Sequence, residues 1–218
     1  MTLDSMLSGL QDLPTEIPIF DLSSMVLLPR AHLPIAIENE KFAELVDDAF
    51  KKDRLVGVVQ KVPQSTKHDK IFPLGCLGKI TTFTESETGK ALIIVSGLMR
   101  FTIVKELKSK KNYRRVKVSY DDYTYDSIPE QHPIFERENL LLLLREYLSL
   151  FNISANWDEI NAASDERLIT SLTMVCPFEP REKQALLESP NLLQRCRMMT
   201  ALIEKAYLKG VGATWVTH

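Results

Sequence analysis

Hydrophobic positions change their period a little past the middle of the chain. Over the first ~120 residues they alternate or come in short runs, as strands require, and beyond that they recur every three or four residues, as helices require. Ile17–Phe20 opens an extended segment that Val26–Pro29 continues. Pro29 and Pro34 then confine the chain to an edge or a loop, because proline donates no ladder hydrogen bond. One helix interrupts the strands. Between Asn39 and Lys52, the positions Phe42, Leu45, Val46, Ala49 and Phe50 make one apolar stripe, with Asn39 as the N-cap. Leu55–Val59 is a continuous apolar run suited to a strand buried on both faces. Ile80–Thr84 and Leu92–Val95 predict a hairpin turning through Glu85–Gly89, and Leu98–Val104 a further strand after Gly97. In Arg114–Tyr120, Val116, Val118 and Tyr120 alternate with Arg115, Lys117 and Ser119, the pattern of a half-exposed strand. Five or six such strands predict a small barrel or sandwich.

Residues 121–133 are polar, lack a period and close with Pro129 and Pro133, which predicts a linker. Helical patterns follow at Phe135–Phe151, after Asn156 with Glu159 at capping-box spacing, and from Ser164 through Val175. Pro180 and Pro190 each suit a first helical position. The last helix carries Leu192, Cys196, Met199, Ile203 and Ala206 on one face and is expected to stop near Gly210. The organisation expected is an N-terminal tail (1–14), a β-rich domain (15–120), a linker (121–133), a helical bundle (134–210) and a C-terminal tail (211–218).

Composition adds boundaries. A chain of 218 residues, 44% hydrophobic and 26% charged, is long enough to bury a core without disulfides or metals. Cys76, Cys176 and Cys196 form no C-x-x-C pair, which suits a reducing compartment. The first ten residues lack the basic start of a secretory signal, and the longest apolar run, Leu140–Leu144, is far short of the about 20 residues that span a bilayer. A cytoplasmic protein without membrane contact is expected. A net charge of −2 argues against a general nucleic-acid coat.

Tests for chemistry return little. Gly75-Cys-Leu-Gly78-Lys79 has two residues between its glycines where a P-loop needs four, and Ile80 stands where the magnesium-binding hydroxyl belongs. The four histidines are scattered without ligand spacing, and neither a G-x-S-x-G elbow nor a catalytic-cysteine signature is present. No catalytic residue, cofactor site or metal site is expected. Ser96-Gly97 reads as a turn or bulge, and Asp47-Asp48 as the solvated face of a helix. One segment is unusual: Lys105, Lys108, Lys110, Lys111, Arg114, Arg115 and Lys117 place seven cations in thirteen residues around Tyr113. Single-strand RNA sites interleave cations and aromatics in this way, making Lys108, Lys110, Lys111, Tyr113 and Arg115 an alternative binding set. A basic turn that discourages edge pairing is the simpler reading.

The order of several motifs resembles one family. Ile17-Pro-Ile-Phe20, Val26-Leu-Leu-Pro29 and Phe42–Phe50 are similar to the start of the Lon protease N-terminal, substrate-binding domain. Asp53–Val59, Leu74–Ile80, Ile94–Phe101 and Tyr113–Val118 continue the match, and Cys176–Glu188 resembles the helix pair that follows. The resemblance covers about residues 15–208 and implies an α+β fold, a PUA-like pseudo-barrel followed by a helical bundle. It departs at Arg30, where the family often has glycine. It implies a non-enzymatic polypeptide-binding module, an adaptor for protein quality control that binds unfolded or specific client polypeptides and works with a separate full-length Lon protease. Neither a Walker sequence nor a peptidase serine is present, so a stand-alone bacterial protein is expected. The proline-framed apolar loop places Leu28, Pro29, Arg30 and Leu33 as the expected client contacts; the competing reading is that these leucines close the barrel end.

Overall fold

Burial decides where the short apolar runs go. The structure is a computed structural model and describes residues 13–64, 70–85, 91–130, 137–150 and 152–215, with side chains described through Lys209. Its internal contacts form two units, residues 1–129 with 179–187, and residues 130–178 with 188–218.

The first unit holds six strands: β1 (Glu16–Leu22), β2 (His32–Ile37), β3 (Leu55–Gln60), β4 (Leu74–Glu85), β5 (Ala91–Leu107) and β6 (Arg115–Ser119). They pair in the order β2-β5-β4-β3-β1-β6, and β5 also pairs with β6. The pairing therefore closes a ring of five strands and leaves β2 outside it, on the edge of β5. Pro34 sits within β2, where an edge strand tolerates a missing donor. The parallel pair β1 and β3 needs a crossover, and helix α1 (Glu40–Phe50) lies within it. Asn39 caps α1 by accepting from the Phe42 N–H at 2.9 Å. Inside the ring Ile17, Ile19, Leu55, Val59, Leu77, Leu98, Phe101, Val116 and Val118 form the core.

Four sequence expectations change. Leu92–Val95 and Leu98–Val104 are one strand: β5 bends instead of ending, because its register slips at Leu98 and again at Val104. The bend brings Gly97 against the loop before β2, where an added Cβ would lie 2.0 Å from the Leu28 carbonyl oxygen. Val26–Pro29 continues no strand; Ser23–Ala31 is a loop whose Val26, Leu27 and Leu28 are buried. Within the segment read as a linker, Asp121–Ser127 is a 3-10 helix with Asp126 buried. Finally, the helical segment 179–187 falls with the strands and not with the other helices.

The helices are α2 (Arg137–Leu150), α3 (Trp157–Ala162), α4 (Asp165–Val175), α5 (Pro180–Glu188) and α6 (Leu192–Trp215). In the first unit, α5 starts at Pro180 and is held by amides: Gln60 Nε2 donates to the Pro180 carbonyl, and Gln184 Nε2 donates to that of Leu74 at 3.1 Å. In the second unit, Leu140, Leu144 and Tyr147 of α2 and Leu192, Cys196, Met199 and Ile203 of α6 are buried, and α6 packs on both α2 and α4. Asn156 and Ser164 cap α3 and α4 as their spacing predicts. Arg137 donates to the carbonyls of Ile160, Asn161 and Ala163 at the end of α3 and pairs with Asp165. Pro190 does not take the first position of α6: the helix begins at Leu192, and Asn191 caps it by accepting from the Gln194 N–H. Helix α6 continues past Gly210 to Trp215, because a helical glycine costs only about 1 kcal/mol. The hairpin turn at 86–89, the end of the linker and His68, His132 and His218 lie outside the described residues. The whole is a mixed α+β fold.

Candidate functional site

Leu28 is fully buried, Leu33 is 5% exposed and Pro29 is buried, so these side chains close the end of the strand ring and offer a partner nothing as they stand. Arg30 takes φ 63°, a left-handed conformation that glycine adopts freely and arginine does not. It is held there from two sides: its N–H donates to Gly97 O at 2.9 Å, and its guanidinium donates to the Asp126 carbonyl at 2.6 Å.

Among the described residues, three of the seven cations in the basic segment face carboxylates. Lys111 pairs with Asp48 at 2.6 Å and Glu44 at 3.4 Å, Arg114 with Glu106 at 2.6 Å, and Arg115 with Glu16 at 3.7 Å. Tyr113 is buried and donates to Asp48 at 2.8 Å; burial first, and then this bond, push its phenol up to about 12. Asp48, read from sequence as solvated, thus anchors the segment to α1, and the hydrogen bonds from Lys111, Tyr113 and Lys51 hold its carboxyl well below the usual range. Lys108 and Lys110 stay exposed. Lys105 and Lys117 are exposed as well, but Tyr113, the aromatic of the alternative set, is buried and bonded to Asp48, so it offers no open ring for a base to stack on.

Sequence reasoning passed over a buried ion pair. Arg100, 1% exposed, donates from Nη2 and Nε to the Asp126 carboxylate at 2.7 and 2.9 Å, and from Nη1 to Leu187 O at 3.0 Å. The Arg100 backbone N–H also donates to Asp126, at 2.9 Å, and the rings of Tyr123 and Tyr125 lie 4.8 and 5.5 Å from the guanidinium carbon. Burial works against the charge, but the adjoining carboxylate outweighs it and leaves the guanidinium pKa above its ordinary value. This pair ties the 3-10 helix and α5 to β5 and is enclosed, so it organises the unit and meets no ligand.

The surface open to a ligand is a face of β2, β5 and β4. Residues two apart share a face of a strand. On β5 that gives Leu92, Ile94 and Ser96; their register partners on β2 are Ala36, Pro34 and His32. On β4, past an extra residue at Thr81, the partners are Thr84 and Thr82, with Lys79 opposite Ser96. Leu92 is 42% exposed, Pro34 and Ala36 are exposed and Ile94 is half-buried, while Leu33, Ile35, Ile93 and Val95 on the other face are buried in the core. The result is an open sheet face, apolar on β2 and β5 and bordered by Thr82 and Thr84 of β4.

One end of this face drops into a cleft of about 660 Å³, lined by His32, Lys79, Thr81 and Ser96 from the strands and by Lys52, Asp53 and Arg54 from the turn after α1. The turn is fixed by N–H bonds from Lys52 and Arg54 to the Ala49 carbonyl, and Arg54 O accepts from the Ile80 N–H at 2.9 Å. His32 Nδ1 and Ser96 Oγ share a hydrogen bond of 2.8 Å, and Thr81 Oγ1 lies 3.2 Å from Ser96 Oγ. The Arg54 guanidinium stacks 4.8 Å from the Phe50 ring, which meets the half-exposed Phe83 edge-on at 5.8 Å. A serine beside a histidine invites comparison with a nucleophile and base. Ser96 is 4% exposed, however, and no carboxylate among the described residues orients His32, so the arrangement is a polar lining and lacks the third member of a triad. No group of three or more potential metal ligands is found among the described residues, and no helix among them is long and apolar enough to cross a membrane. Only the alternation around His32–Ile37 could have signalled this face in the sequence, because its parity depends on the pairing of three strands.

Comparison with known proteins places the chain. The family described as the ATP-dependent protease La (LON) substrate-binding domain matches residues 16–205. Among curated relatives, Lon protease of Cytophaga hutchinsonii is 26% identical over 208 residues, covering 89% of this chain and 25% of that protein. Lon protease 2 of Myxococcus xanthus is 27% identical over 212 residues, covering 89% of this chain and 24% of that protein. The chain therefore spans about a quarter of the length of these relatives. Two solved structures share the fold: the N-terminal domain of a Mycobacterium avium complex Lon protease (TM-score 0.62, 16% identity, 87% of this chain and 98% of that one), and a Lon N-terminal domain protein from Xanthomonas campestris (TM-score 0.60, 19% identity, 86% and 98%). The chain belongs to the Lon substrate-binding domain family.

Proposed function

We propose that this member of the Lon substrate-binding domain family holds polypeptide segments on the open face of β2, β5 and β4, as a binding module and not as a catalyst. Membership makes the chain a substrate-binding module. The observation that carries the finer reading is that Pro34, Ala36, Leu92 and Ile94 lie uncovered and contiguous across the paired strands β2 and β5, beside a polar cleft. An extended segment suits an open sheet face of this kind, its alternate side chains lying between the rows. Pro34 interrupts the free edge of β2, which favours binding over the face above strand addition at the edge.

Magnitude limits the affinity. Covering about 400 Å² of apolar surface yields roughly 10 kcal/mol gross at 25 cal/mol per Å². Association costs of about 4–15 kcal/mol offset most of it, so capture is micromolar or weaker. Weak, sequence-tolerant capture suits a protein that samples unfolded clients and passes them on. The adaptor role in quality control, the partnership with a full-length Lon protease, the cytoplasmic setting and the PUA-like character of the strand ring belong to the same proposal.

The test is a fluorescence-anisotropy titration of a labelled, reduced and carbamidomethylated polypeptide that cannot refold. Leu92→Asp is expected to weaken binding tenfold or more, while Leu142→Asp, at an exposed position in the other unit, leaves it unchanged. Absence of binding by the parent protein, or equal binding by Leu92→Asp, overturns the proposal.

A further inference from the structure

The cleft at the end of the open face is cationic, and none of its cations is paired with a described carboxylate. Lys52, Arg54 and Lys79 line it with Asp53 as the single carboxylate, and no carboxylate among the described residues lies within ion-pair distance of any of the three. The contrast with the segment around Lys111 is direct, because there the fold supplies acids at 2.6–3.4 Å. Nature of the lining matters too. His32, Ser96 and Thr81 form a polar floor whose hydroxyls are already engaged, Ser96 Oγ with His32 Nδ1 and Thr81 Oγ1 with the Ile94 carbonyl at 3.2 Å, so the cations are what an entering group meets. The row Lys79–Ser96–His32 crosses β4, β5 and β2 in register, so the charged end and the apolar rows Ile94–Pro34 and Leu92–Ala36 share one strand face at successive two-residue steps.

Resting on the reading that this face holds polypeptide, we infer that the cleft selects segments carrying an acidic residue, with apolar residues spaced two apart leading away from it. The acidic side chain enters among Lys52, Arg54 and Lys79, and the apolar side chains lie over Ile94, Pro34, Leu92 and Ala36. A carboxylate there meets surplus positive charge, while an amide of the same shape brings no charge to pair with it. A cationic segment is repelled. The selection is electrostatic, acts at a partly solvated site and is therefore modest and salt-sensitive.

The probe is a pair of dodecapeptides carrying the same uncharged dye, alternating threonine with valine or leucine. One ends in two aspartates and the other in two asparagines, both amidated at the C-terminus. The acidic peptide is expected to bind about tenfold tighter, as two partly exposed ion pairs imply. That preference should fall to about twofold or less in Lys52→Gln/Lys79→Gln and persist in Lys108→Gln/Lys110→Gln, which removes the same charge from the exposed basic turn. Equal binding of both peptides to the parent protein, or equal loss of preference in both double variants, overturns the inference while leaving polypeptide binding standing. Displacement of the acidic peptide by a short RNA at 150 mM salt also overturns it. If neither peptide binds and the unfolded polypeptide of the previous section does not bind either, the functional reading itself fails and the inference with it.

Discussion

Asp126→Ala probes the organisation of the first unit at its most constrained point. The carboxylate is 5% exposed and accepts from the Arg100 backbone N–H, Nε and Nη2 at 2.7–2.9 Å. Its removal leaves a guanidinium that is 1% exposed beside neutral groups such as the Leu187 carbonyl and the Tyr125 hydroxyl, with the carboxylate that balanced its charge gone. Breaking one side of a buried pair costs about 3–5 kcal/mol, because the remaining charge is neither solvated nor matched. Against a total stability of about 5–15 kcal/mol that is a large share. For a chain of this length the melting temperature should fall by about 10 °C or more. Trp157 and Trp215 both lie in the other unit, so tryptophan fluorescence reports the wrong part of the molecule. Far-ultraviolet circular dichroism during urea unfolding, with hydrogen exchange followed in peptides from β4, β5 and β6, is the suitable assay. Arg100→Met in the same background removes the stranded charge, so the double variant should recover about 2 kcal/mol or more relative to the sum of the single losses. A cost below about 1 kcal/mol for Asp126→Ala, or simple additivity in the double variant, refutes this reasoning.

Two further outcomes follow from the same geometry. Gly97→Ala drives a methyl group to within 2.0 Å of the Leu28 carbonyl oxygen, so the urea midpoint should drop by the equivalent of about 2 kcal/mol or more; an unchanged midpoint would show that the loop before β2 is not seated on β5. The Asp48 carboxyl, held below its ordinary 3.8 by Lys111, Tyr113 and Lys51, adds stability that is present above that value and lost as pH falls through its lower folded value. The difference in urea midpoint between the parent and Asp48→Asn should therefore hold steady from pH 7 to about pH 4 and shrink in stronger acid, and a difference that grows on acidification would contradict the sign.

What the sequence could reveal follows from the range of each interaction. Helix α1 was readable in full, since its stripe and its Asn39 cap are both local. The same holds for α3 and α4, whose caps lie three residues from their partners. The strands were found but their joints were not: β5 looked like two strands because Gly97 resembles a turn, and only the approach of Leu28, sixty-nine residues away, explains it. Asp126 sits in a polar stretch that reads as a linker, and its burial depends on Arg100 and on the helix end at Leu187. The candidate face shows the limit most plainly. Leu33 and Pro34 are neighbours in a stretch that the sequence marks as apolar and proline-framed, but they point to opposite faces, and which one faces solvent is set by the register of β2 on β5. Attention fell on Leu33, and the uncovered side belongs to His32, Pro34 and Ala36.

The most direct test of polypeptide capture on this face is hydrogen exchange with mass spectrometry on the complex with an unfolded polypeptide. Slowed exchange is expected in 32–37, 79–85 and 91–96, together with the turn at 51–54, and in no other described segment of the first unit. Protection confined to 105–117, or spread over the helices of the second unit while these segments exchange as in the free protein, would contradict the account.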